Sequence, residues 1–317
     1  MFFSPVQMHI PDGFLSVPVA LILWVISVVV VGYALRRANR DLGERQVPLM
    51  GVLAAAIFAG QMLNFSVTGG TSGHLLGAAL ATILLGPWAA VLVLTTVVSV
   101  QALLFQDGGL LALGGNLFNM AVIGVSVSYM VYHTVIKLTG NRRQSVFLGG
   151  FTAAWLSIVV ASLACAIELA ASGTSPANIA IPAMGGIHML IGIGEGLITV
   201  GALAFLQAAR PDLLQAGAVR TARGGLVWAF GLGIALLLAV ASPLASAHPD
   251  GLEWVAEQKG FLEAAKGPVY KIFPDYVMPG ISNSTAATIL AGVLGTLLVF
   301  CLALAVAHLR RQRHPAS

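Results

Sequence analysis

The strongest constraint on the fold of this chain is a series of apolar runs long enough to cross a lipid bilayer. A membrane-spanning helix needs about 20 predominantly apolar residues. Eight runs approach that length and a ninth is shorter; in chain order they are 17–35, 48–65, 74–86, 88–105, 112–135, 147–171, 181–208, 226–243 and 284–308. The shorter run, 74–86, ends at Gly86-Pro87, and a helix enclosed by other helices need not be long. The sequence therefore predicts an all-α polytopic membrane protein with nine spans.

Composition also indicates that lipid is the main solvent of the chain. Of the 317 residues, 58% are hydrophobic and 9% are charged, and the mean hydropathy is +0.91. A soluble domain carries about 25% charged residues, which keep its surface hydrated. The composition excludes a soluble globular domain, and membrane topology accounts for the net charge of +4 without nucleic acid as a partner.

The basic residues predict the orientation, because cytoplasmic loops near span ends concentrate Lys and Arg. Four clusters follow spans 1, 5, 7 and 9: Arg36, Arg37, Arg40 and Arg45; Lys137, Arg142 and Arg143; Arg210, Arg220 and Arg223; Arg310, Arg311 and Arg313. With nine spans, all four basic clusters lie on the same side of the membrane. With eight spans, leaving out 74–86, the second and third clusters would lie on the side opposite the first. We expect the chain in the inner membrane, with its N-terminus outside and its C-terminus in the cytoplasm.

The spans divide into two modules. Residues 8–208 form a predicted seven-span unit, and 226–308 form a two-span hairpin with an extracytoplasmic loop, 244–283. A basic cytoplasmic linker, 209–225, joins them. Within the loop, apolar and charged residues from Asp250 to Ala265 have the spacing of an amphipathic helix. We expect one short helix there, which would cap the first module from outside.

Three histidines are predicted near the outer face of the first module. His9 precedes span 1, His74 begins span 3, and His188 lies near the outer end of span 7. Imidazole is a common ligand of nickel, cobalt, zinc and copper. These positions lack the carboxylate clusters that calcium or magnesium would require. We therefore predict a borderline transition metal as the cargo, and no resident cofactor.

A translation start at Met8 would create a specific chelate. The Met8 α-amine, the deprotonated amide of His9 and the His9 ring would surround one ion through fused small rings, and His74 would close a planar set of four nitrogens. Such a set favours nickel(II) or copper(II). If Met1 is the retained terminus, the amine is lost and this chelate fails. Met1 to Gln7 lack the features of a signal peptide, and we favour the start at Met8.

Further polar residues lie in or beside the predicted spans. Glycines in the loop 67–73, before His74, allow close approach of chains. Candidates to orient the histidines or line a transport path are Gln61, Asn64, Asn116, Asn119, Glu168 and Glu195. Polar groups within membranes also join helices. We favour that structural interpretation for His188, and for Asn116, Asn119 and Glu195 it stands beside the functional one.

Two other classes of membrane protein fit the sequence less well. A stand-alone ion-coupled carrier requires ionisable residues along a path through the membrane, and Glu168 and Glu195 are few for that purpose. A metalloenzyme requires clustered ligands around an open metal position, and the sequence has no HExxH or comparable spacing. We expect a transport protein and not an enzyme.

Four stretches resemble the CbiM/NikM family, the substrate-specificity (S) components of cobalt and nickel energy-coupling-factor (ECF) transporters. They are Met8 to Leu15 (MHIPDGFL), Asn64 to Leu75 with GGTSGH, Phe118 to Gly124, and His188 to Glu195-Gly196. The second module, with the sequence Pro249-Asp250-Gly251-Leu252-Glu253, resembles the small NikN-like PDGLE accessory subunit. The fusion is similar to NikMN-type proteins and favours nickel over cobalt.

The resemblance implies both a site and partners. It implies that Met8, His9 and His74 bind the metal, and that a transmembrane T component and two cytoplasmic ATPases drive import, as in other ABC transporters. It further implies that this chain hydrolyses nothing itself, and that cobalt import would serve cobalamin biosynthesis. Family members begin at the methionine of MHIPDG, so the seven residues before Met8 depart from the pattern.

Overall fold

The computed structural model describes residues 8–41, 46–140, 142–210 and 224–311. In chain order, its helices are α1 (Val17–Asp41), α2 (Gln46–Gln61), α3 (Ala78–Leu85), α4 (Pro87–Val100), α5 (Leu113–Leu117), α6 (Val125–Thr139), α7 (Arg143–Ala171), α8 (Ala177–Ala209), α9 (Gly224–Ala241), α10 (Gly251–Lys259) and α11 (Ser284–Arg311). The predicted helical class is confirmed, with one small β-hairpin as an exception. Met1 to Gln7, most of the linker 209–225, and Arg45, Arg220, Arg223 and Arg313 lie outside the described residues.

Six helical segments in the described part of the chain are long and apolar enough to cross a membrane. They are Val17–Ala38, Pro87–Phe105, Leu113–Thr139, Arg143–Ala171, Ala177–Ala209 and Ser284–Leu309. Two shorter apolar helices, Gln46–Gln61 and Ala229–Leu244, coincide with the predicted second and eighth spans. The multi-pass architecture is confirmed, whereas the number of nine spans stays a prediction.

The predicted short span 74–86 contains only the helix α3, of eight residues. At 1.5 Å per residue, α3 is about 12 Å long, which is less than half of the roughly 30 Å hydrocarbon layer. It packs against α4, α6 and α7. A turn at Gly86, whose φ is 80°, separates α3 from α4. Because neighbouring helices enclose α3, the ends of its backbone face protein and not lipid. The helix therefore need not extend across the whole bilayer.

Two helices continue as π-helical segments next to the site described below. The helix α4 runs into Gln101–Phe105, and α5 runs into Phe118–Gly124. Short π-helical segments within α-helices are frequently found at functional sites. The first ends at Gln106, which adopts a left-handed φ of 56°. This turn leads directly into Asp107 and sets the position of that carboxylate.

A β-hairpin carries the chain to His74. Strand β1 (Phe65–Val67) pairs antiparallel with β2 (Thr71–Gly73), and Phe65 lies opposite Gly73. Gly69 and Gly70 in the turn have φ values of 87° and 77°. Glycine adopts these left-handed values without a side-chain clash. The glycine-rich loop therefore forms a tight turn, and β2 delivers His74 at its end.

The 244–283 loop packs against residues 8–208. The helices α9 and α11 both pack against α2, and α10 packs against α8 and β2. The expected loop helix is present as α10, but it ends at Lys259 and not near Ala265, because Gly260 turns the chain with a left-handed φ of 76°. Asp250 caps the helix by accepting a hydrogen bond from Glu253 N at 2.9 Å. Leu252, Val255 and Phe261 join the main hydrophobic core. The loop is thereby fixed by apolar burial.

Candidate metal centre

The segment Met8–Leu15 is buried although it precedes the first helix. Asn116 holds it by two hydrogen bonds: Ile10 N donates to Asn116 Oδ1 at 3.0 Å, and Asn116 Nδ2 donates to Ile10 O at 3.1 Å. The Asp12 carboxylate accepts from two backbone nitrogens within 110–112, at 3.1 and 2.9 Å. Because these bonds use main-chain groups, they fix the path of the backbone. The segment is thus a rigid part of the site.

Three nitrogen atoms of Met8 and His9 converge on one carboxylate oxygen. Met8 N donates a hydrogen bond to Asp107 Oδ1 at 2.8 Å, and His9 N donates to the same oxygen at 3.3 Å. His9 Nδ1 lies 3.0 Å from it, at ion-pair distance but without the alignment of a hydrogen bond. These are the same three nitrogens that the sequence analysis assigned to a chelate. The three nitrogens can thus face a common point, as chelation requires, and an ion bound by all three would take the place of Asp107 Oδ1.

His74 faces this cluster from the end of β2. The centroids of the His9 and His74 rings are 5.4 Å apart, with an interplanar angle of 62°. His74 Nδ1 lies 3.2 Å from Leu75 O. A ring nitrogen that faces a carbonyl oxygen is the donor, which leaves the other nitrogen with its lone pair in the neutral ring. His74 Nε2 is therefore the atom available to a metal.

Two carboxylates beside these histidines were missed by the sequence analysis, which found none there. Asp107 and Asp250 are 3% and 6% exposed. Asp107 Oδ2 accepts a hydrogen bond from the hydroxyl of Tyr276 at 2.6 Å, and Asp250 Oδ2 lies 3.8 Å from His74 Nε2. The sequence did contain a hint of a role for Asp107, because it is the only acidic residue between Glu44 and Glu168. A lone carboxylate in so long an apolar region is a candidate functional residue.

Charge pairing stabilises the ionised forms of His9 and Asp107. Burial on its own lowers the pKa of His9, but the adjacent Asp107 carboxylate raises that pKa above its ordinary value. Burial raises the pKa of Asp107, but His9 and the Tyr276 hydroxyl bring it below its ordinary value. Burial raises the pKa of Asp250 to about 7. Asp107 thus supplies a negative charge at the point where the three nitrogens converge.

Two of the predicted polar residues support the chain next to His74 without facing the site. Glu195 accepts hydrogen bonds from Leu76 N at 2.7 Å and Gly77 N at 2.9 Å. Gln61 Nε2 donates to Leu76 O at 3.2 Å. A buried carboxylate with two backbone donors is well satisfied. Glu195 and Gln61 therefore position the chain that follows His74.

The remaining predicted residues are divided between the cavity and its surroundings. His188 Nδ1 lies 2.8 Å from Met184 O, and Asn119 Nδ2 donates to Glu168 Oε2 at 2.8 Å. Asn64 precedes β1, and its carbonyl accepts from Ser246 N at 2.8 Å. The structure therefore joins Asn119 to Glu168, and both Asn119 and His188 also line the cavity described next.

A cavity of about 80 Å³ adjoins the two histidines. Its lining includes seven polar residues and four sulfur-containing ones: His9, His74, Asn116, Asn119, Ser162, His188 and Asp250, together with Met8, Met120, Cys165 and Met184. Within the described ranges, no group of three or more His, Cys, Asp or Glu side chains is arranged to hold a metal ion.

Helices that cross the membrane around a histidine-lined cavity define a multi-pass membrane protein suited to carrying a transition metal. Residues 9–213 match the model of the CbiM family, described as the cobalt uptake substrate-specific transmembrane region. Residues 225–312 match the model of the PDGLE domain. The chain belongs to the CbiM family of nickel and cobalt transport proteins, here fused to a PDGLE domain.

Relatives share both parts of the chain. A NikMN protein of Archaeoglobus fulgidus is 38% identical over 307 residues, which cover 96% of this chain and 99% of the relative. The fused nickel transport protein NikMN of Rhodobacter capsulatus is 31% identical and covers 92% of this chain and 95% of its own. A solved structure described as a truncated transition metal transporter is 39% identical, with a TM-score of 0.56, over 63% of this chain and 99% of that one. These relatives are transporters rather than enzymes.

Proposed function

We propose that this chain is the substrate-capture component of an ATP-driven ECF-type importer of Ni²⁺ or Co²⁺. The observation that carries the proposal is the convergence of Met8 N, His9 N and His9 Nδ1 on one point, within 3.3 Å of Asp107 Oδ1. The names of the full-length relatives favour nickel. Nitrogen ligands suit both ions, and a planar set favours nickel.

The ligands in this proposal are the Met8 α-amine, the His9 amide nitrogen, His9 Nδ1 and His74 Nε2. In a chain that continues before Met8, the Met8 nitrogen is an amide without a basic lone pair. The metal-binding form is therefore the one in which Met8 is the terminus. The buried position of Met8, which is 7% exposed, supports this assignment because it already holds the nitrogen inside the site.

In the same proposal residues 8–208 are the capture module, 209–225 the cytoplasmic linker, and 226–308 the accessory module. The 244–283 loop covers the site from outside. Its backbone contacts support this role: Lys266 N donates to Asp12 O at 2.7 Å, and Phe273 N donates to Leu104 O at 3.0 Å. The loop thus contacts both segments that flank the nitrogen cluster.

The partners are a transmembrane T component and two cytoplasmic ATPase subunits. The basic clusters at the predicted span ends support an orientation with the N-terminus outside and the C-terminus in the cytoplasm of the inner membrane. A multidentate chelate releases a scarce ion slowly. Energy from ATP hydrolysis is therefore expected to favour a conformation with lower affinity.

Isothermal titration with Ni²⁺ and Co²⁺ tests the ligand set on two purified proteins, one starting at Met8 and one retaining Met1 to Gln7. We expect tight binding only to the form that starts at Met8, and loss of binding in its His74→Ala variant. His248→Ala, which removes an exposed imidazole of the 244–283 loop, is the matched control and should bind normally. Equal binding by both forms would show that the α-amine is not a ligand.

A further inference from the structure

The PDGLE segment, residues 249–253, packs directly against the candidate metal centre. Pro249 O accepts hydrogen bonds from Ser72 N at 2.8 Å and Thr71 Oγ1 at 3.0 Å. Because Ser72 and Thr71 belong to β2, the segment runs beside the strand that directly precedes His74. These hydrogen bonds fix Asp250 at the level of His74.

Gly251 allows this close approach. A Cβ atom at this position would lie 2.6 Å from Ile191 Cδ1 and 2.9 Å from His188 Cε1. Both distances are shorter than any ordinary contact between carbon atoms. Gly251 therefore lets the backbone pass against α8, and its neighbour Asp250 is brought to the cavity wall.

The carboxylate of Asp250 uses its two oxygens differently. Oδ1 accepts the hydrogen bond from Glu253 N that caps α10. Oδ2 lies 3.8 Å from His74 Nε2, with the side chain 6% exposed. Asparagine and serine cap helices about as well as aspartate does. Capping alone therefore does not account for a second, buried carboxylate oxygen directed at His74.

The spacing of these two atoms suits a shared ion. Divalent ions such as zinc bind nitrogen and oxygen ligands at about 2.0–2.2 Å, so two ligand atoms of one ion lie about 3 Å apart at a right angle and about 4 Å apart when opposed. The 3.8 Å between His74 Nε2 and Asp250 Oδ2 lies between these two values. An oxygen added above a plane that contains His74 requires about 3 Å, so the two side chains would approach each other by about 0.8 Å when the ion binds. Both atoms line the same cavity.

We infer that Asp250 Oδ2 is a ligand of the transported ion, supplied by the accessory module to the ion that His74 binds. The inference rests on the proposed function, since it requires His74 as a ligand. It adds an oxygen to the planar nitrogen set and raises the coordination number to five. The PDGLE domain is then part of the metal centre itself.

Nickel spectroscopy on the full chain starting at Met8 tests this assignment. Planar four-coordinate Ni²⁺ is diamagnetic, whereas an added oxygen ligand favours the paramagnetic form and shifts the visible absorption bands. We expect the Asp250→Asn protein to have the diamagnetic planar spectrum and to release Ni²⁺ to a chelator about tenfold faster or more. Glu257→Gln removes a carboxylate from the exposed face of the same helix and should match the unmodified chain.

A second variant separates loss of the ligand from loss of the helix. Asp250→Ser also retains a cap for α10, so both variants should keep the thermal stability of the parent and show the same altered spectrum. An unchanged spectrum and release rate in either variant, with binding lost in His74→Ala, would refute the role of Asp250 and leave the proposed function standing. Binding that survives His74→Ala would refute the proposed function, and the role of Asp250 with it.

Discussion

At the scale of single residues, Asp107 organises the candidate metal centre. Its Oδ1 holds Met8 N and His9 N, and its Oδ2 is held by the Tyr276 hydroxyl. The sequence identified His9 and His74 through their motifs, and the structure brings their rings together. It did not identify Asp107, because the hydrogen bond to Met8 N joins residues 99 positions apart and leaves no local pattern.

We predict that Asp107→Asn weakens nickel binding about 10- to 100-fold, the range found for groups that orient metal ligands. The amide keeps an oxygen that can accept from the two backbone nitrogens, but the negative charge beside the ion is lost. Isothermal titration of the form starting at Met8 measures the change. Glu263→Gln, an exposed charge of the same loop as Tyr276, is the control. Unchanged affinity in Asp107→Asn would rule out an electrostatic role.

At the scale of elements, the apolar runs predicted the helices well and the irregular segments poorly. Hydrocarbon thickness sets the length and composition of a spanning helix, so α7 and α8 follow from local sequence. The π-helical segment Phe118–Gly124 and the short α3 depend on neighbours that local sequence does not describe. The role of Glu195 could not be predicted from local sequence either. Its carboxylate accepts hydrogen bonds from backbone nitrogens that lie 118 and 119 positions away in the chain.

We predict that Gly251→Ala displaces α10 from α8, because the added methyl group meets Ile191 and His188. Hydrogen exchange of the backbone amides in the 244–283 loop should become faster in this variant. Gly267→Ala is a matched control in the same loop, since its Cβ would meet no atom within 4 Å. Equal protection of the loop in the two variants would contradict the packing described for the PDGLE segment.

At the scale of the whole molecule, the two modules form one continuous core. Residues of α1, α2, α4 and α8 share a hydrophobic cluster with Leu252 and Tyr276 of the 244–283 loop. The division into two modules, inferred from the spans and from the basic linker 209–225, stays a prediction. The close packing of the two parts could not be predicted, because each apolar surface of a membrane helix can face lipid or protein equally well.

We predict that the 244–283 loop is exposed to the cell exterior and that Arg142 is exposed to the cytoplasm. In a background with Cys165 and Cys301 replaced, Ala247→Cys, at an exposed position of the loop, should react with a membrane-impermeant thiol reagent in intact cells. Arg142→Cys, also at an exposed position, should react only after permeabilisation. The reverse pattern would overturn the orientation inferred from the basic clusters.

The 244–283 loop is anchored at both ends, by α9 and α11, which pack side by side against α2. The contacts between this loop and residues 8–208 are therefore made within one chain. They do not depend on how much protein the membrane contains, because the two helices hold the loop at a fixed, high effective concentration. In the proposed importer, each capture module would thus carry its own accessory loop without the encounter that a separate subunit requires.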